Sequence, residues 1–116
     1  MLKIYQNLST NRLRNEINNM GWGEAESRYP EVHAYMETSN KGAAGYVKGM
    51  MVHWTHVAFV DTDDPNEAFA AMNLWDGQGA QVTQVQSCRS LSVGDIVVNQ
   101  RGEKFMCDPF GWTQID

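Results

Sequence analysis

Three groups of residues have types and spacings that could do chemistry. His53 and His56 form an H-x-x-H pair. On a helix, residues three apart share a face and can ligate one metal ion. On a strand they point to opposite sides, and the surrounding "VHWTHVAFV" leans towards strand. No third ligand is spaced to complete the set, so no bound metal is expected.

Cys88 or Cys107, with a distant histidine, could supply a nucleophile and base. No Gly-rich turn at a helix start marks an activated thiol. Their spacing also matches neither a zinc pair nor a redox motif. Buried free cysteines in a reducing cytoplasm are the expectation.

The run "DTDD", Asp61 to Asp64, could gather carboxylates around a divalent cation. Pro65 follows it, and proline favours the first turn of a helix. Acidic residues there cap free amides and complement the helix dipole. Capping accounts for Asp64 and Asp63 and leaves Asp61 over. "GWG" and "GAAG" lack the Lys-Ser/Thr and the strand–turn–helix setting of a phosphate loop. Nothing in the chain calls for a cofactor.

Charge is distributed unevenly. From Gly49 to Cys88, forty positions, there is no Lys or Arg. The same segment holds Asp61, Asp63, Asp64, Glu67 and Asp76. Such a face attracts a basic surface and speeds association with it. Near the C-terminus Phe105, Phe110 and Trp112 cluster. Part of that cluster must cover the sheet, and Trp112, after Gly111, is a candidate interface anchor. Asp61, Asp63, Glu67, Asp76, Phe110 and Trp112 are therefore the candidate partner-binding residues.

These residues must be positioned by a small scaffold. The chain has 116 residues, enough for one domain with a core of its own. Hydrophobic residues make up 42% and charged residues 20%, which suits a folded rather than a disordered chain. The formal net charge of −5 disfavours non-specific binding to nucleic acid or to an anionic membrane. No apolar run reaches the ~18 residues of a membrane span, and "MLKIYQNLS" does not resemble a secretory signal.

Alternation predicts a strand in "LKIYQ". Ser9, Thr10 and Asn11 offer capping oxygens to a helix from about Thr10 to Met20, with Leu13, Ile17 and Met20 on one stripe and Gly21 as its stop. "GWGEAESRYP" reads as irregular, Pro30 as the start of a short helix, and "TSNKGAAG" as a loop. "YVKGMMVHW" suits either a helix or irregular packing.

"HVAFVDT" reads as a central strand covered on both faces. The next helix has Asp64 as cap and Glu67 as the reciprocal member of a capping box. Phe69 and Met72, with Leu74 or Trp75, face the core, and Asp76-Gly77 ends it. "QVTQVQ" is a candidate edge strand. "IVVN", "EKFMC" and "WTQI" form a meander after a Gly94-Asp95 turn, with Gly102 in the first hairpin. The expected fold is α+β: one domain over 1–116, a mainly antiparallel sheet, and two or three helices packed on one of its faces.

The ending, "SLSVGDIVV" then "KFMC" then "FGWTQI", with "HVAFVDTDDPNEAFAAMNLWD" before it, resembles small proteins encoded by bacteriophages and mobile elements. The likeness covers roughly half of the chain. It implies an accessory protein acting in the host cytoplasm and assigns no catalytic residues. The functional expectation is a non-enzymatic protein that binds and modulates a host protein with a basic surface. The alternatives are a protein that sequesters a small ligand or nucleotide, and an enzyme using His53, His56 or a cysteine with Asp61.

Overall fold

The computed structural model describes residues 1–74 and 79–116. Six antiparallel strands form one sheet, in the order β3-β2-β1-β4-β5-β6. They are β1 (Leu2–Gln6), β2 (Thr55–Val60), β3 (Val82–Gln84), β4 (Ile96–Val98), β5 (Lys104–Cys107) and β6 (Trp112–Ile115). The expected α+β class, the N-terminal strand, the edge strand β3 and the C-terminal meander β4–β6 are all present.

Among the described residues, five helices accompany the sheet: α1 (Ser9–Arg12), α2 (Arg14–Met20), α3 (Trp22–Arg28), α4 (Pro30–Lys41) and α5 (Pro65–Leu74). They lie on both faces of the sheet, not on one. Ala68, Ala71 and Met72 of α5 pack with Leu2, Ile4, Val60 and Val97. Ala34 of α4 and the segment after it pack on Ile96, Met106 and Ile115. Alternation along β5 explains the split, since Phe105 meets the first cluster and Met106 the second. A third cluster, Ile17, Ala25 and Val32, joins α2, α3 and α4.

The helical half departs most from the pattern-based expectation. The helix expected from Thr10 to Met20 is interrupted at Leu13 (φ −107°, ψ 23°), although the stripe Leu13–Ile17–Met20 does face one cluster. Its first amide is met by Asn7, whose side-chain oxygen accepts from Ser9 N at 3.0 Å. Ser9 instead donates its hydroxyl to the Glu31 carbonyl oxygen. Residues 22–28 are helical rather than irregular. Gly21 (φ 83°) makes the corner between α2 and α3, and buried Ala25 anchors the second of these.

The helix opened by Pro30 runs 12 residues, through the first half of the expected loop. Thr38 looks like a loop former, but its hydroxyl donates to the Ala34 carbonyl oxygen at 2.8 Å. That internal bond lets it sit fully buried in the helix. Lys41 then pairs with Glu37 one turn back. Between α4 and β2 only single 3₁₀ turns form, at Gly42–Gly45 and Met50–His53.

β2 is covered on one face rather than two. A register shift opposite Ile4/Tyr5 leaves Val57 unpaired with β1 and turns both Val57 and Ala58 into the α5 core. The other face carries half-buried His56 and Phe59, whose rings meet at 4.6 Å. On α5, Phe69 is exposed and Leu74 more so. The inward stripe is Ala68–Ala71–Met72, spaced i, i+3, i+4, and Phe69 lies about 100° round from Ala68. Trp75, Asp76 and Gly77 lie outside the described residues.

Candidate functional site

α5 covers β1 and β2 and leaves the β5–β6 end of the same sheet face open. There a groove of about 610 Å³ forms. Its apolar part is Leu2, Pro65, Phe105 and Trp112, and its rim includes Asp63, Asn66, Arg101 and Glu103. The register Cys107↔Trp112 pairs β5 with β6 and sets Trp112 on the same face as Phe105. Trp112 is half-buried, so it is both core edge and groove wall. Its indole N–H donates to Asn66 Oδ1 at 3.2 Å and ties the sheet edge to the start of α5.

The candidate partner-binding residues are thus partly assembled. Asp63 and Trp112 line one groove, and Phe110, 97% exposed, stands next to Gly111 at its border. Asp61 and Glu67 are exposed as well, but Glu67 lies on a separate shallow hollow with Ala70, Ala71 and Leu74. Asp76 lies outside the described residues.

The electrostatics are more mixed than the charge run suggests. Asp63 accepts from the Met1 ammonium at 2.7 Å, and Arg101 shares its groove. Arg101 reaches Glu103 at 3.3 Å across the β4–β5 turn. That turn has Gly102 at φ +81°, as the hairpin reading requires.

Asp64 caps α5, accepting from Asn66 N at 2.9 Å. The reciprocal half of the capping box is rearranged. Glu67 accepts from the Thr62 hydroxyl at 2.9 Å, and Thr62 Oγ1 accepts from Asp64 N at 3.1 Å. Thr62 therefore relays between the two ends of the box, a role the S/T/D-x-x-E spacing does not reveal.

The other candidates are held apart. His53 ends a 3₁₀ turn, while His56 on β2 bonds its own strand at the Ala58 carbonyl, 3.0 Å away. Burial pushes both the Cys88 and Cys107 thiols up, Cys107 to about 11, which is the opposite of an activated nucleophile. Asp95 is buried and bonded to Gln6, Arg89 and the Ser92 amide.

Phe105, Asn66 and Arg101 belong to the groove and were not singled out for it by sequence. Only Phe105 had a signal, its alternation with Met106. Asn66 and Arg101 arrive through tertiary contacts between a helix start and a hairpin tip. No protein-family model, curated protein or solved structure shows a significant match to this chain.

Proposed function

We propose that this is a small non-enzymatic binding protein that engages a partner protein through the β5–β6 groove and its border. Phe110 carries the reading. A phenylalanine left 97% exposed, adjoining Gly111 of a groove walled by Trp112, is the kind of aromatic anchor that dominates protein interfaces. The exposed carboxylates of Asp61 and Asp63 favour a partner with a basic surface, acting mainly on its rate of approach. In the phage and mobile-element setting that the C-terminal half resembles, that partner is a host protein in the host cytoplasm, whose activity the binding alters.

The test is affinity capture from host lysate with wild type and with Phe110→Ser, each captured protein then being purified and its binding measured directly. The reading expects one protein with a basic surface that binds wild type and loses at least ~10-fold in affinity to the variant. Equal binding to both would overturn it. So would native mass spectrometry showing a small molecule retained in the groove, whose volume falls in the ~300–1,000 Å³ range of ligand sites.

A further inference from the structure

The α3–α4 hairpin carries three side chains with metal-ligand chemistry, well away from the groove. Glu26 projects from α3, and His33 and Glu37 stand one turn apart on α4. One donor atom from each lies within 4.8 Å of the others. His33 Nδ1 and Glu26 Oε2 are already 2.8 Å apart. Glu37 Oε2 accepts from Lys41 Nζ at 2.7 Å.

We propose that Glu26, His33 and Glu37 form a three-ligand site for a divalent transition-metal ion of the zinc class, clamping α3 to α4. Mixed imidazole and carboxylate donors favour Zn²⁺, Ni²⁺ or Cu²⁺ over the all-oxygen preferences of Mg²⁺ and Ca²⁺. Tetrahedral bonds of about 2.0–2.2 Å put neighbouring donor atoms about 3.4 Å apart. The donors need only a contraction that side-chain rotation supplies.

The hairpin beneath them is held by buried Ala25 and Val32, so the ligands start from packed helices. Two carboxylates and a neutral imidazole balance a dication in full, whereas Lys41 balances one charge. The lysine side chain is 58% exposed and can swing into water when the ion enters. Water completes the coordination, and the ion adds a cross-link to a hairpin otherwise joined by the small Ile17–Ala25–Val32 cluster.

The test is titration of the chelator-treated full chain with Zn²⁺ by calorimetry and thermal melting, with Mg²⁺ as control and Co²⁺ as a visible-absorption probe. One Zn²⁺ per chain should bind and raise the melting temperature, while Mg²⁺ does neither. His33→Ala and Glu37→Gln should each weaken binding at least ~10-fold, and Lys41→Gln, which removes the competing cation, should tighten it. His56→Ala and Cys88→Ser should leave it unchanged. Absence of saturable one-to-one Zn²⁺ binding overturns the proposal. So does binding that survives His33→Ala but is lost in Cys88→Ser. Should a ligand variant misfold, the wild-type Co²⁺ spectrum decides: nitrogen–oxygen ligation supports the site, and a thiolate charge-transfer band overturns it.

Discussion

Arg89 Nη2 lies 2.9 Å from Asp95 Oδ1, and the carboxylate of this pair is buried while the guanidinium reaches solvent. Gln6 of β1 completes the arrangement. Its amide donates to Asp95 Oδ2 at 3.1 Å and to the Arg89 carbonyl oxygen at 3.0 Å, and its oxygen accepts from Arg89 N at 3.2 Å. Ser92 N adds a 2.9 Å bond to Asp95 Oδ2. One polar cluster therefore stitches the 89–95 loop to the first strand, with its buried groups satisfied.

Asp95 makes stability depend on pH. Burial lifts its carboxyl from 3.8 to about 6, against the opposing pull of Arg89, Ser92 and Gln6. The folded chain then holds the proton more tightly than the unfolded chain. The contribution is full below the unfolded value of 3.8 and lost as pH rises through about 6. Its upper bound is roughly 3 kcal/mol. Melting temperatures of wild type and Asp95→Asn between pH 4 and pH 8 should diverge across that window, with the variant lacking this decline. Parallel profiles would refute the assignment.

Gly94 cannot be replaced cheaply. Its φ is +95°, and a Cβ there would lie 3.1 Å from Thr38 Oγ1 and 3.2 Å from the Thr38 carbonyl carbon. Thr38 is buried in α4 and cannot retreat. Gly94→Ala should cost about 1–3 kcal/mol in chemical denaturation. An unchanged midpoint would show that the turn relaxes.

Asp64 should behave as a cap and nothing more. Asp64→Ala loses the bond to Asn66 N and should destabilise by about 0.5–2 kcal/mol. The loss should be the same with and without chelator. A rise in wild-type stability on adding calcium or magnesium, abolished in the variant, would make this a metal ligand instead.

Reversing the exposed charges tests how the partner approaches. Asp63→Lys with Glu67→Lys should slow association with the captured protein and flatten its salt dependence, because salt screens such attraction over ~8–10 Å. Asp63 will also lose its contact with the Met1 ammonium, and Glu67 its bond from Thr62, so a modest stability loss is expected. An unaltered association rate at low salt would leave binding to Phe110 and Trp112.

Local sequence determined the elements whose signals are local. Alternation in "LKIYQ" and "EKFMC", the Gly102 turn, and the Asp64-Pro65 helix start all depend on neighbours a few residues away. Gly94 and Asp95 also announced a special turn. What the turn holds depends on Thr38, Gln6 and Arg89, and of these Thr38 and Gln6 are more than fifty positions distant.

The same division explains the misreadings. Thr38 looked like a loop residue until its hydroxyl found the Ala34 carbonyl inside a packed helix. With residues 22–28 read as irregular, Glu26 has no helix from which to face His33 and Glu37, and a one-turn His–Glu spacing alone marks no site. The acidic run was plain, but only folding brought Arg101 and the Met1 ammonium beside Asp63 and set Trp112 across from Asn66. Periodicity reports which face a side chain takes within its own element. Which residues meet across elements is decided by sheet order and by how far each helix covers the sheet, and no short window of sequence contains either.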